Sequence, residues 1–595
     1  MTAVEARPAA GGSRRSAAAP TLLGLTAITA VGLVLPLLIA RQHGALGAAR
    51  GDDWSYLVTL FRWVDTGRIE FNNWVSMSLV GQLLLAAPVA VAQGHAITLV
   101  QAETAVLGLG GLIALAFLGR RLGISWGVVT FVVVTFAISP LWLILCTTYM
   151  TDVPAFAIST TGALLATIAL QRRPIRTPLL ITGLAIAAYS VTIRQYAIVP
   201  VIAIVIAAAI ALREDPDRRR TIALVVAVVV AVVALAGFLS WWYSVPDAKA
   251  ISPSIPAGRE LRTTVIKGAG FLRLGGLLLL PIICWRGPVR LVREAWGASR
   301  VLTVTAGLGV ILWQAATATR YLSSQFVGNY VIRDGALSIA VLPGRRPDIM
   351  PPLAWNGLVL VGSIGAVVLA LATVPTIVSL AARVRRRDLD GLDPITTMLG
   401  LTVLGFGIAY TIAMLTGVQV YDRYALPALA FAALLLARRA PTDRSLGRAV
   451  MAGIALGVVG VVGLNAAVDS ASFDGGRWRL AERVVASGGW RAKQVNGGFE
   501  WVNYHRGRRY TVAARASITR TLPDGTVVRI APFCVNLRVR GPDEPPGRIR
   551  PLDSARYVAL LRRPVRIIAV RSARSCVGAP GAAASPADGG RRSSP

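Results

Sequence analysis

Apolar runs long enough to cross a lipid bilayer recur along most of this chain. A helix of roughly 17 to 25 apolar residues spans a hydrocarbon core about 30 Å thick. Because 54% of the 595 residues are hydrophobic and only 15% are charged, one soluble core cannot bury all of this apolar surface. We therefore predict a polytopic α-helical membrane protein with about 13 transmembrane helices. The predicted helices lie near residues 21–40, 97–118, 125–146, 153–170, 177–193, 196–212, 221–243, 269–285, 301–319, 352–380, 395–417, 422–437 and 447–467.

The basic residues are concentrated in every second connection between the apolar runs. Examples are the clusters that include Arg120, Arg172 and Arg385, whereas the intervening connections carry few or balanced charges. Lysine and arginine accumulate in cytoplasmic loops, so this alternation places the N-terminus in the cytoplasm and, with an odd number of spans, the C-terminal segment outside. The net charge of +33 is then an orientation signal. We expect a multi-pass protein of the plasma membrane, embedded in the lipid bilayer, with no nucleic-acid partner.

The composition changes from apolar to ordinary polar after Leu464. A turn signal at 523–525 and short β-rich runs at 527–531 and 534–539 predict a small α+β domain. The expected parts are a cytoplasmic tail at 1–20, a membrane domain at 21–467 with a first outer loop at 41–95, an extracytoplasmic domain at 468–577 and a disordered tail at 578–595. Cys534 and Cys576 both lie in the segment predicted to be outside, where a disulfide can persist, and the sequence leaves open whether they form one.

Three carboxylates lie near the ends of predicted spans, where an ionisable group is costly and therefore a functional candidate. Asp52 and Asp53 follow the first span at the start of an amphipathic segment that extends to Ile69. Asp152 opens a later helix, two residues before Pro154. Taken alone, each is also an ordinary residue for a helix start, where a carboxylate caps backbone N–H groups and interacts favourably with the helix dipole.

Arginines lie at the same predicted membrane face. Arg194 separates two apolar runs, where a snorkelling side chain is the alternative interpretation. Arg423 begins another run and has a local salt-bridge partner available in Asp422, while Arg320 ends a span. A carboxylate can accept the proton of an acceptor hydroxyl, and an arginine can bind a phosphate leaving group as charge develops on it. Their shared location therefore favours phosphate-dependent group transfer.

Four short motifs, taken in order along most of the chain, carry a family resemblance. They are the acidic pair Asp52-Asp53 with Tyr56, residues 151–154, residues 194–196 and residues 423–427. Together they resemble the GT-C membrane glycosyltransferases, the group that includes protein O-mannosyltransferases, aminoarabinose transferases and rhizobial-type glycosyltransferases. Residues 473–478 and 497–501 also look like the outer domain of actinobacterial members of this group. Two departures stand out: Asp53 replaces the more usual Glu, and residues 73–76 stand where a His-Pro-Pro-like element is common.

The resemblance implies a GT-C fold and an inverting single displacement at the anomeric carbon of a polyprenyl-phosphate sugar. The acceptor would be the hydroxyl of a glycan, a lipid or a protein. Asp52 matches the general base of the family. The implied site residues are the catalytic Asp52, Asp53 and Asp152, the donor-phosphate ligands Arg194 and Arg423, and the tyrosines Tyr56, Tyr196 and Tyr424 that position acceptor or donor. Arg320 is a third candidate phosphate ligand because it lies at the outer end of a predicted span.

Other functions and ligands stay open at this stage. Three histidines and no Cys/His cluster give no support for a zinc site, whereas a divalent cation held by carboxylates and the donor phosphate remains an alternative. A transporter or lipid-linked sugar flippase would also have many helices, but the charged residues cluster at one mouth and no repeat with broken helices is evident. A scaffold or receptor whose C-terminal domain is the working part is the third interpretation.

Overall fold

The computed structural model consists largely of helices joined by short connections. It describes residues 14–214, 217–246, 258–318, 325–337, 341–344, 346–386, 391–439, 445–506, 518–521, 527–530, 533–540 and 550–572. The described α-helices are α1 (Arg14–Thr29), α2 (Leu35–Gln42), α3 (Asp53–Thr66), α4 (Val80–Gln93), α5 (Ile97–Arg121), α6 (Trp126–Ala137), α7 (Pro140–Leu145), α8 (Asp152–Leu170), α9 (Thr177–Ile193), α10 (Ile198–Glu214), α11 (Arg218–Ser244), α12 (Gly258–Leu278), α13 (Leu280–Arg286), α14 (Pro288–Ala298), α15 (Arg300–Ala318), α16 (Pro352–Arg386), α17 (Pro394–Leu415), α18 (Ala425–Arg438), α19 (Leu446–Gly488) and α20 (Phe499–Arg506). A π-helical turn (Ala30–Val34) links α1 to α2, and 3₁₀ turns occupy Gln195–Ala197, Asp422–Tyr424 and Ala492–Gln494.

The helices within the predicted apolar runs differ in length. Nine helical segments in the described ranges are long and apolar enough to cross a membrane, and the bent pair α12–α13, which turns by 59°, would make ten. Three predicted spans contain shorter helices: α6 has 12 residues, α9 has 17 and α18 has 14. The polytopic helical architecture is therefore confirmed, with nine or ten full-length spans in the described part of the chain against the predicted number of about 13.

Proline accounts for two of the breaks in predicted spans. The run predicted at 125–146 is interrupted at Ser139, whose hydroxyl accepts a hydrogen bond from the backbone N–H of Trp142 at 3.3 Å and so caps α7. Pro140 occupies the first position of α7, where its missing N–H costs nothing. Pro281 lies in the same way near the start of α13, directly after the 59° bend.

Close approach of small residues holds pairs of helices together. A Cβ added at Gly162 of α8 would lie 2.7 Å from the carbonyl oxygen of Gly183 on α9. A Cβ added at Gly365 of α16 would lie 2.3 Å from the carbonyl oxygen of Gly276 on α12. Neither position has room for a side chain. Small residues allow such backbone contact in membrane helices, where packing replaces the hydrophobic driving force.

A single long helix connects the membrane part to the C-terminal part. Helix α19 has 43 residues, so the domain boundary predicted between residues 467 and 468 falls inside one continuous helix. Its second half is buried, including Asp469, Asp474 and Arg477. The predicted tail at 1–20 becomes helical at Arg14, while the predicted disordered tail at 578–595 lies outside the described residues.

The C-terminal part contains the small sheet that the sequence predicts. Its strands are β1 (Val495–Asn496), β2 (Ile518–Thr521), β3 (Val527–Ile530), β4 (Val535–Arg540), β5 (Asp553–Ala559) and β6 (Arg562–Arg571). The order is β1-β4-β6-β5, with β1 parallel to β4 and the other pairs antiparallel, and β2 and β3 form a separate hairpin. Ser472 of α19 bonds the backbone of Val558 on β5 and so fixes the sheet to the helix. Cys534 is disulfide-bonded, and Cys576 lies outside the described residues.

Candidate functional site

Four of the sequence-predicted residues meet at one end of the helix bundle. Asp52 is the residue before α3, and Asp152 is the first residue of α8. Arg194 has an extended backbone between α9 and the following 3₁₀ turn, and Arg423 lies within the 3₁₀ turn before α18. All four therefore lie at helix breaks or helix starts, where the chain can bring a polar side chain inward without disturbing a continuous helix.

Asp52 carries the exposed carboxylate of the site. Its Oδ2 accepts a hydrogen bond from Nη2 of Arg423 at 2.8 Å, and its Oδ1 accepts one from the indole N–H of Trp74 at 2.9 Å. Its side chain is 25% exposed, against 2% for Arg423. Burial alone would raise the pKa of Asp52, but the charge of Arg423 and the two hydrogen bonds hold that pKa below its ordinary value. Asp52 is therefore ionised at neutral pH.

Asp152 is fully buried and is held by Arg194. Nη1 of Arg194 donates to Oδ2 of Asp152 at 2.9 Å and to the hydroxyl of Thr151 at 2.6 Å. The hydroxyl of Tyr196 donates to Oδ1 of Asp152 at 3.4 Å. The Arg194 guanidinium also lies over the rings of Tyr196 and Tyr424, at 4.9 and 4.4 Å from their centroids. Arg194 is thus an internal cation that orders this layer of the site.

Arg423 keeps two donors that make no hydrogen bond within the described residues. They are Nε, which lies 3.8 Å from Oδ2 of Asp152, and Nη1. The alternative salt bridge with Asp422 does not form, because the Asp422 carboxylate accepts the backbone N–H groups of Tyr330, Val331 and Arg423 at 2.7 to 2.9 Å. Buried donors are normally satisfied, so unsatisfied guanidinium nitrogens beside a partly exposed carboxylate indicate an anion-binding position.

Asp53 has a different environment from Asp52. It is fully buried, and its oxygens accept the backbone N–H groups of Arg50 and, at 3.2 Å, of Tyr149. Burial raises the pKa of Asp53 to about 8, against the hydrogen bonds and the charge of Arg50, which lower it. The side chain therefore ties the first loop to the segment before Asp152.

The other predicted positions are divided between the site and its surroundings. The ring of Tyr424 contacts both site arginines, while the backbone oxygen of Tyr424 accepts the hydroxyl of Tyr410 at 2.6 Å. Tyr56 is buried and donates its hydroxyl to the sulfur of Met77 at 2.7 Å. Arg320 lies outside the described residues.

Two further polar residues of the site escaped sequence reasoning. Trp74 belongs to the first loop, and its indole N–H donates to Asp52. Lys267 of α12 donates to the carbonyl oxygen of Val420 at 2.7 Å, and its Nζ lies 5.3 Å from the ring centroid of Tyr421, which Arg423 faces at the same distance. The available signal in the sequence was a lysine two residues before the span predicted at 269–285. Among the described residues, no group of three or more His, Cys, Asp or Glu side chains is arranged to hold a metal ion.

Comparison with known proteins gives distant structural likeness. No protein-family model matches the chain, and no curated protein matches it. The chain is similar to two crystal structures of ArnT from Cupriavidus metallidurans. The apo structure has 12% identity over 93% of this chain and 98% of that chain, with a TM-score of 0.36. The structure bound to undecaprenyl phosphate has 13% identity over 90% of this chain and 96% of that chain, with a TM-score of 0.35. It is also similar to the oligosaccharyltransferase AglB from Archaeoglobus fulgidus in complex with an inhibitory peptide and a dolichol-phosphate, at 13% identity over 82% of this chain and 64% of that one, with a TM-score of 0.39.

Proposed function

We propose that this protein is a membrane glycosyltransferase that transfers a sugar from a polyprenyl-phosphate donor to an acceptor hydroxyl at the outer membrane face. The observation that carries the proposal is the contact between Asp52, an ionised and partly exposed carboxylate, and Arg423, a buried guanidinium with unused donors. The reaction requires a base for the acceptor hydroxyl and a cation for the leaving phosphate. One base and one cation of this kind are in contact here.

The donor phosphate is assigned to Arg423. Its Nη1 is available to a phosphate oxygen, and the ring of Tyr330 is centred 5.9 Å from the same guanidinium. Arg194 is committed to Asp152 and Thr151, so its role is to hold Asp152 and add positive potential behind the phosphate. The polyprenyl chain extends into the bilayer that surrounds the helices.

Asp52 is assigned as the general base of an inverting single displacement. The acceptor oxygen attacks the anomeric carbon as its proton passes to Asp52, and the bond from that carbon to the phosphate oxygen breaks with its electron pair moving to the phosphate. The N–H of Trp74 fixes one oxygen of Asp52, which leaves the carboxylate aligned for the acceptor. Asp152 lies between the two arginines and orients them. The acceptor is a hydroxyl of a glycan, a lipid or a protein.

The test is sugar transfer by purified protein reconstituted in liposomes. Polyprenyl-phosphate sugars of several kinds serve as donors and a membrane extract supplies acceptors. We expect Asp52→Asn to lower the transfer rate by roughly 100- to 10,000-fold, the usual contribution of a general base. Asp65→Asn is the matched control. Asp65 lies at the exposed end of the same helix, paired with His95, so this substitution makes the same chemical change away from the site.

The outcomes separate the proposed function from its main alternative. Loss of transfer in Asp52→Asn, with Asp65→Asn at the wild-type rate, supports both the reaction and the base. Movement of lipid-linked sugar across the bilayer without transfer from any donor would instead identify a flippase. Equal transfer rates in wild type and a folded Asp52→Asn variant would remove Asp52 from the reaction.

A further inference from the structure

The C-terminal part of the chain reaches the site through a buried chain of charged side chains. Arg477 of α19 lies 2.9 Å from the Glu500 carboxylate of α20 and 3.1 Å from that of Asp474. Asp474 in turn binds Nε of Arg50 at 3.1 Å, in the first loop. All four are buried, with Glu500 only 2% exposed. Buried ion pairs are costly unless every group is satisfied, so their value lies more in fixed geometry than in stability.

One end of this network holds the backbone directly before Asp52. Oε1 of Glu500 accepts the N–H of Gly51 at 3.2 Å. Gly51 has a φ of +62°, a conformation that disfavours other residues, and an added Cβ would lie 3.0 Å from the side chain of Leu337. The guanidinium of Arg50 is also fully engaged, with Asp474, Thr147 and Ser470. The backbone that presents Asp52 is therefore held from the C-terminal side.

The neighbouring residue of α20 holds the second support of Asp52. The ring of Phe499 packs against Trp74, with centroids 5.2 Å apart, and against Trp54 at 5.9 Å. Trp74 is the residue whose N–H binds Asp52. Two adjacent residues of one helix thus contact two of the supports of Asp52: the backbone that precedes it and the indole that donates to it.

We propose that α20 of the C-terminal part positions the base, with Glu500 and Phe499 as positioning residues. This inference rests on the proposed role of Asp52. The contacts described above join these two residues to Gly51, Trp74 and Trp54, so both are assigned to the alignment of Asp52 and not to donor binding. A small displacement of a catalytic group is sufficient to lower a rate by about 100-fold.

The test uses full-length Glu500→Gln, which keeps an oxygen for Gly51 but loses the charge that faces Arg477, and Phe499→Leu, which keeps apolar bulk but loses the ring. We expect kcat to fall roughly 10- to 100-fold in each, with the Kd for polyprenyl phosphate within twofold of wild type. Asp553→Asn is the matched control, because this carboxylate of β5 forms an exposed pair with Arg483 in the same part of the chain.

Hydrogen–deuterium exchange of the peptide covering residues 50–56 is the second readout, and it does not depend on turnover. We expect faster exchange there in Glu500→Gln and Phe499→Leu but not in Asp553→Asn. If wild type transfers no sugar, the proposed function fails, yet exchange still reports whether α20 holds the loop. Unchanged exchange in folded variants, or a loss of kcat matched by an equal loss of donor binding, would overturn the positioning role.

Discussion

Arg423→Gln removes the cation that the proposed reaction needs on the donor phosphate. Nη1 of Arg423 makes no hydrogen bond within the described part of the chain, and a phosphate oxygen would give it one of the charge-assisted kind. Such a bond contributes about 1.5 to 3 kcal/mol, which corresponds to a roughly 10- to 150-fold change in Kd. We therefore expect Arg423→Gln to weaken polyprenyl phosphate binding by this factor. Arg423→Lys keeps a charge but not the planar fork, so its loss should be smaller.

The assay for Arg423 is equilibrium binding of polyprenyl phosphate to purified protein in detergent, by calorimetry. Arg333→Gln is the control, since Arg333 pairs with Asp348 in a connecting loop and loses the same charge. Thermal unfolding of each variant separates weak binding from poor folding. A folded Arg423→Gln protein that binds polyprenyl phosphate with the wild-type Kd would refute the assignment of the phosphate to this residue.

Two further predictions concern titration and metal. Because burial raises the pKa of Asp53 from 3.8 to about 8, this group takes up a proton on folding, and its contribution to stability falls as pH rises from about 4 to about 8. Asp53→Asn removes that titration, so its melting temperature should fall less than that of wild type between pH 5 and pH 8, measured by differential scanning fluorimetry; parallel curves would contradict this. Since the described carboxylates of the site are engaged by arginines and an indole, we expect transfer to persist in excess EDTA, and full loss that magnesium restores would show that a cation is required.

Much of the fold follows from the spacing of apolar residues, because the bilayer requires helices of a certain length. The predicted amphipathic segment after the first span is α3, and the β-rich runs near 530 and 536 are β3 and β4. Hydropathy alone does not report where a helix bends, so the breaks at Ser139 and Leu279 were missed. A change of composition also does not mark a structural boundary when a single helix continues across it. Helix α19 is apolar in its first half and buried by protein in its second half.

The site was predictable only in part. Asp52 and Arg423 are 371 residues apart. The sequence indicated both because burying an ionisable group near the membrane is costly, so such a group usually has a function. The difference between Asp52 and Asp53 was not predictable, since adjacent residues at a helix start point in different directions and their environments depend on tertiary contacts. The network from Arg50 to Glu500 joins segments 424 to 449 residues apart and has no local sequence signature.

The charge balance of the proposed reaction explains why Arg423 should contact both the Asp52 carboxylate and the donor phosphate. Two arginines and two aspartates, Arg194, Arg423, Asp52 and Asp152, are in contact before a donor arrives. A sugar phosphodiester adds one negative charge. In the proposed step Asp52 gains a proton and the departing phosphate gains a charge, so the total stays constant and one negative charge moves from the carboxylate to the phosphate.

Arg423 lies against the carboxylate from which that charge departs, and its unused donor is available to the group that receives it. As the phosphate gains charge it draws more strongly on the guanidinium, which weakens the hold of Arg423 on Asp52. The pKa of Asp52, which Arg423 lowers in the free protein, then rises, and the carboxylate becomes a better proton acceptor as the bond to the phosphate breaks. In the proposed reaction, donor binding and the strength of the base are thus coupled through one side chain. The sugar-transfer rate of an Arg423→Gln variant should therefore fall by a larger factor than its affinity for the donor does.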